Sequence, residues 1–274
     1  MEYYGKTDVG RQRSVNQDTF GAKLLAEDVL AAVVCDGMGG ASGGGIASSI
    51  ALDIYLTELS KNMAKYLLAK NKAEPSVELP RLICRSVNTA NGFLNAISKR
   101  DSSLNGMGTT LVSALIFGGV LYACNIGDSR LYHIWDGGIE QITKDHSYVQ
   151  YLIDSGKLSP ADAKKSSKKN IITRAVGIDP QVEADVFRVE FGRKRKKGKA
   201  VQPAVEEAVG DPPGEYFLLC SDGLSNLLED SEILSILRSK IYMYDELVVK
   251  VNMLIEAANS RGGNDNITAL LIRV

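Results

Sequence analysis

Apolar positions along the chain follow two periodicities, and these alternate in blocks. Short apolar runs, DTFGAKLL from Asp18 and VLAAVVC from Val29, read as strands. Ile46, Ile50, Ile54 and Leu59 then recur at helical spacing. A second helical stripe follows through Leu79, Leu82, Ile83, Ala90, Phe93, Leu94 and Ile97. Strand-like runs return as TTLVSALIF, VLYACNI, SRLYHIWD and IEQIT, separated by Gly-Gly and Gly-Asp turns. Residues 148–165 read as a short helical excursion. Strands resume at VEADVFRVEF and YFLLCS, two helices follow from Asp230 and around Leu247–Ala258, and NITALLIRV closes the chain as a strand. Blocks of strands and blocks of helices predict an α+β fold with antiparallel sheets rather than a doubly wound parallel one.

Composition narrows the function classes. A chain of 274 residues with a formal net charge of -1 offers no electrostatic case for nucleic acid or an anionic membrane. The one long apolar segment, residues 109–126, is split by Gly118-Gly119 and reads as a hairpin rather than a membrane span. No leader-like segment is evident, and Cys35, Cys84, Cys124 and Cys220 form no CxxC pair. Buried free thiols in a reducing cytoplasm are the expectation. Residues 193–213 break the composition: they open with RKRKKGK and read as a solvated excursion between strands, with a basic docking surface as the alternative.

The chemistry centres on VVCDGMGGASGGG from Val33, where six of the nine residues after Asp36 are glycine. A phosphate-binding P-loop needs a lysine that this segment lacks, and no βαβ unit follows to support a dinucleotide site. The informative feature is recurrence. Val33-Val34-Cys35-Asp36-Gly37 is matched by Leu218-Leu219-Cys220-Ser221-Asp222-Gly223, each an apolar strand ending in Asp-Gly, with glycine expected to permit a sharp departure. Asp265 in GGNDN and Asp128 in GDS stand at further turns. Carboxylates gathered without cationic partners repel one another, and hard divalent cations relieve that repulsion. Aspartates that merely end turns remain the alternative at each position taken alone.

The chain resembles the metal-dependent serine/threonine protein phosphatases, the PPM or type 2C family, in their bacterial form, over nearly its whole length. The match rests on RSVNQD, VVCDGMGG, GMGTT, NIGDSRLY, TKDHS, NIITRAVG, LLCSDGL and GGNDNIT, in that order. The resemblance implies one phosphatase domain over residues 1–274, a four-layer αββα sandwich with a flap at about 147–170 and a basic inserted loop at about 192–214. It implies that Asp36 bridges two Mn2+ or Mg2+ ions, that the Gly37 carbonyl joins one, and that Asp222 and Asp265 complete the other. Asp128 with Asp222 would hold a weaker third ion. Arg13 would bind phosphate and Asp18 would orient metal-bound water, while Gln17 stands where glutamate is common. The implied activity is hydrolysis of phosphoserine and phosphothreonine on proteins by water activated between the two metals, opposing a Ser/Thr kinase, in a cytoplasmic monomer. A pseudophosphatase that only binds phosphoprotein is the alternative, and a branch acting on sigma-factor regulators is a second. Met38 replaces a histidine common in the family and cannot donate a proton, so no general acid is assigned. Thr109 and Thr110 are expected to support the site, and His146 and His133 to serve structure.

Overall fold

The computed structural model describes residues 1–163, 166–192, 214–241 and 245–274. The basic excursion of residues 193–213 therefore lies outside the described residues. One antiparallel sheet runs in the order β1 (Glu2–Asp8), β11 (Ile267–Arg273), β10 (Tyr216–Cys220), β7 (Arg130–Trp135), β8 (Gly138–Gln141). The other runs β2 (Asp18–Ala26), β3 (Val29–Met38), β5 (Leu111–Phe117), β6 (Val120–Ile126), β9 (Asp185–Glu190), with β4 (Gly108–Thr109) paired to the end of β3. The hairpin expected at residues 109–126 is present, and Gly118 and Gly119 both take positive φ (59° and 73°), as a twist-matched two-residue turn requires.

Strand alternation builds the layers. On β3, Leu30, Ala32 and Val34 face the opposite sheet and meet Val112, Leu131, Phe217, Leu219 and Leu270. Val29, Ala31, Val33 and Cys35 face the other way, onto α1 (Gly40–Leu68) and α2 (Pro75–Arg100). Leu218 and Cys220 of β10 likewise face α5 (Asp222–Ser225), α6 (Asp230–Arg238) and α7 (Glu246–Ser260). Two sheets packed face to face with helices on both outer faces give the expected αββα sandwich.

Two differences from the sequence reading have physical causes. Strand β1, EYYGKTD, was not anticipated, because an edge strand open on one side carries little apolar alternation. Phe93 is half-exposed, since the buried stripe of α2 runs through Leu79, Ile83, Val87, Ala90 and Leu94 and leaves it on the outer side. Residues 148–163, the described part of the expected helical excursion, hold two short helices, α3 (Tyr148–Asp154) and α4 (Pro160–Ala163). Cys35, Cys124 and Cys220 are buried, Cys84 is half-buried, and all four are free thiols. No helix among the described residues is long and apolar enough to cross a membrane.

Candidate active site

The layer between the sheets turns polar at one end. Two residues beyond the last inward apolar side chain stand Asp18 (past Phe20), Asp36 (past Val34), Thr110 (past Val112), Ser129 (past Leu131), Ser221 (past Leu219) and Thr268 (past Leu270). Register brings them together: Asp18 lies opposite Asp36, and the Cys220–Ala269 and Cys220–Arg130 pairs align the other sheet at the same end. Because side-chain direction repeats every two residues, each strand delivers its last inward position to the same rim. The rim opens on a cavity of about 570 Å³ lined by Arg13, Asp36, Gly37, Asp128, Asp222 and Asp265, among others.

Asp36 is fixed through its backbone. Its N–H donates to Thr110 Oγ1 at 2.9 Å, and its carbonyl accepts from Thr110 N at 2.8 Å and Thr109 Oγ1 at 2.9 Å. Thr110 in turn bonds Ser129 at 2.8 Å, next to Asp128. The two threonines therefore act as supports, as expected. Asp18 does not line the cavity. It is buried behind Asp36, where its Oδ2 accepts from Ser221 Oγ and Thr268 Oγ1, both at 2.7 Å. Its Oδ1 is buried and has no protein partner among the described residues.

The glycines serve close approach rather than the sharp departure expected of them. A Cβ on Gly37 would stand 2.1 Å from the Gly44 carbonyl oxygen, and one on Gly223 would stand 2.0 Å from that of Asn266. Neither residue has positive φ, whereas Gly39 does, at 124°, where the chain turns into α1. The first turns of α1 thus press backbone to backbone on the end of β3.

Arg13 enters on the loop between β1 and β2 and binds Asp265 Oδ2 at 2.8 Å, with 57 % of its side chain exposed. Asn266, which the sequence reading passed over, places that loop. Its side-chain amide donates to the carbonyls of Val9 and Val15, both at 3.0 Å, and accepts from Gln17 N at 2.8 Å. His146 serves structure: its Nδ1 accepts from Gly127 N at 3.2 Å and its Nε2 faces Asp185 at 3.1 Å, holding the turn that carries Asp128. His133 is buried between Trp135 and Phe217 and pairs with Glu215 at 2.7 Å.

Electrostatics follow from this crowding. Burial, reinforced by neighbouring carboxylates, pushes Asp36 and Asp128 well above the usual carboxylate range. Burial and Asp265 raise Asp222 to about 6, and burial raises Asp18 to about 6 against the hydroxyl bonds that lower it. Among the described residues, no three acidic, histidine or cysteine side chains stand at the mutual spacing of a closed metal cage. The carboxylates instead ring an open cavity.

A stability prediction arises here. Unfolded aspartates titrate near 3.9, so the folded protein binds protons more tightly at Asp18 and Asp222 between about pH 4 and 6. Their contribution is fully present below pH 4 and is lost as pH rises through 6. His146, lowered by burial, works in the opposite direction within part of that window. A difference measurement cancels it: in EDTA, Asp222→Asn is expected to melt a few degrees above wild type at pH 7.5, with the gap closing by pH 4.5. Parallel melting curves at both pH values would contradict the crowding.

The fold and this acidic rim define the class: the chain belongs to the protein phosphatase 2C family, whose family model matches residues 10–247. It is 34% identical over 267 residues to the serine/threonine phosphatase stp of Listeria monocytogenes, covering 97% of this chain and 93% of that one. Among solved structures it is similar to the serine/threonine phosphatase Stp1 of Staphylococcus aureus, with TM-score 0.79, 29% identity, and 100% and 94% of the two chains covered. It is also similar to the catalytic domain of the phosphatase PstP in complex with two manganese ions, with TM-score 0.74, 31% identity, and 98% and 96% covered.

Proposed function

We infer that this chain hydrolyses phosphoserine and phosphothreonine on proteins; it is a serine/threonine protein phosphatase of the bacterial type. The observation that carries the site reading is the convergence of Asp36, Asp128, Asp222 and Asp265 on one cavity with Arg13 among them. That Asp36, Asp222 and Asp265 are all retained there supports turnover over mere binding of phosphoprotein.

The residues fit a pair of divalent cations. Four carboxylates meet one guanidinium at the rim, burial and then neighbouring carboxylates raise the titration of three of them, and every donor is oxygen. Mn2+ and Mg2+ take oxygen ligands and keep several waters, so a few protein carboxylates suffice and a closed cage is not needed. Asp36, the Gly37 carbonyl, Asp222 and Asp265 would hold two ions, and Asp128 with Asp222 a weaker third; the two manganese ions of the PstP complex support a two-ion centre. When bound, such ions make water nucleophilic near neutral pH and offset phosphoryl charge.

The chain's own residues do the rest. Thr109 and Thr110 hold the Asp36 backbone, and Ser221 and Thr268 hold Asp18 behind it. Arg13 is exposed enough to leave Asp265 and meet phosphoryl oxygens, which a guanidinium can bind in pairs. We place the enzyme in the cytoplasm as a monomeric single domain opposing Ser/Thr kinases, with residues 147–170 as a flap beside the site; Asn170 of that segment and Ile172 just beyond it line the cavity.

Arg13→Ala is expected to lower kcat/KM for a phosphothreonine peptide by about tenfold to a hundredfold, in line with loss of a charge-assisted bidentate contact worth roughly 1.5–3 kcal/mol. Manganese affinity, followed by calorimetry, should change much less. Unchanged peptide kinetics would remove Arg13 from this role.

A further inference from the structure

An apolar ledge adjoins the acidic rim. Met38 lines the cavity, and Ile178 lies 39 % exposed beside it. Both approach Gly108: a Cβ there would fall 2.9 Å from Ile178 Cδ1 and 3.1 Å from Met38 Cε. Glycine at this position lets both side chains close over bare backbone.

The ledge is held firmly. Asn91 of α2, buried, accepts from Gly177 N at 2.8 Å and donates to the Asp179 carbonyl at 3.0 Å. Asn95, one helical turn on, donates to the Ile178 carbonyl at 2.9 Å. Thr109 and Val176 exchange backbone hydrogen bonds at 3.0 and 2.8 Å, tying the segment to β4 next to Asp36. Buried amides thus fix on both sides a residue whose own side chain faces solvent. An isoleucine held this way near Gly108, which Met38 of the cavity wall also approaches, offers an apolar contact next to a charged site.

We propose that Met38 and Ile178 form a subsite that receives an apolar side chain flanking the phosphorylated residue of a protein substrate. This rests on the hydrolytic reading above. The ledge side chains offer no hydrogen-bonding group, so the subsite discriminates by burial. Methionine's unbranched thioether adapts to apolar side chains of differing shape. The neighbouring carboxylates add repulsion toward acidic flanks. The reading also gives Met38 a task other than proton donation.

The test uses phosphothreonine peptides that differ only in having leucine or its near-isostere asparagine immediately before or after the phosphorylated residue, assayed with Mn2+. At one of the two positions, leucine is expected to raise kcat/KM by about tenfold, the scale at which a hydrophobic subsite separates side chains of slightly different apolar content. Ile178→Ser should reduce that preference to within twofold and leave p-nitrophenyl phosphate turnover and the melting temperature unchanged. Ile178→Leu should keep the preference. Equal rates for leucine and asparagine at both positions, or a preference that survives Ile178→Ser, would overturn the subsite while p-nitrophenyl phosphate hydrolysis still upheld the phosphatase. Failure to hydrolyse either kind of substrate would instead remove the hydrolytic reading, and the subsite with it.

Discussion

Asp222→Asn is expected to lower kcat for a phosphothreonine peptide by at least about a hundredfold, which corresponds to roughly 2.7 kcal/mol of lost transition-state stabilisation. The size follows from where Asp222 sits. Its charge adds to burial in raising Asp36 and Asp128, and it also acts on Arg13 and Asp18. It thus faces three of the other groups proposed to hold cations, Asp36, Asp128 and Asp265. An amide keeps the shape and one acceptor oxygen but removes the negative charge that draws a hard cation. Its structural cost is small, because an amide can keep the contacts the side chain makes, the bond accepted from Asn226 Nδ2 at 3.0 Å at the start of α5 and the one shared with Asp36. Activity measured across a manganese titration, beside a melting curve in EDTA, separates the two effects. The variant should need far more metal, turn over slowly even when saturated, and yet melt above wild type at pH 7.5. Wild-type turnover at limiting manganese would show that Asp222 holds no shared ion.

That opposition between stability and activity explains why the acids were legible before any coordinates. An apolar strand that ends in Asp-Gly is locally odd, and two such strands with matching sequence, VVCDG and LLCSDG, announce a shared destination. What lies behind them was less legible. Ser221, Thr268 and Ser129 are ordinary small polar residues, and each gains meaning only once strand parity and cross-sheet register place it two positions past the inner core. A signal existed in principle, because in every one of these strands the inward alternation switches from apolar to polar at the same end. Reading it requires knowing which of two faces is inward, and a sheet buried on both faces hides that. Asn266 was missed because its partners, Val9, Val15 and Gln17, come from the far end of the chain. Gly223 was read as a turn residue for a similar reason: the carbonyl it makes room for belongs to Asn266, just before β11 and far along the chain.

The glycine run yields the second large effect, and neighbouring glycines should respond with opposite signs. On Gly37 a methyl group would lie 2.1 Å from the Gly44 carbonyl oxygen and 2.7 Å from that of Gln17. Both obstacles are backbone, so no rotamer change can make room. Either the end of β3 or the start of α1 must move, and overpacking of this kind costs roughly 1–3 kcal/mol or more. The displaced atoms include the Gly37 carbonyl and the chain next to Asp36. Gly37→Ala is therefore expected to lower the melting temperature by at least several degrees and to cut manganese-dependent turnover more than tenfold. Gly45 lies eight residues on, inside α1, and a methyl group there would meet nothing closer than 3.9 Å. Gly45→Ala should instead stabilise the protein, by up to about 1 kcal/mol, because alanine loses less conformational freedom in a helix than glycine does. Thermal melts and peptide turnover for the two variants side by side distinguish glycines that admit another backbone from one that merely begins a helix. If Gly37→Ala were as stable and active as wild type, the backbone contact between β3 and α1 could not be what shapes the metal-facing edge of the site.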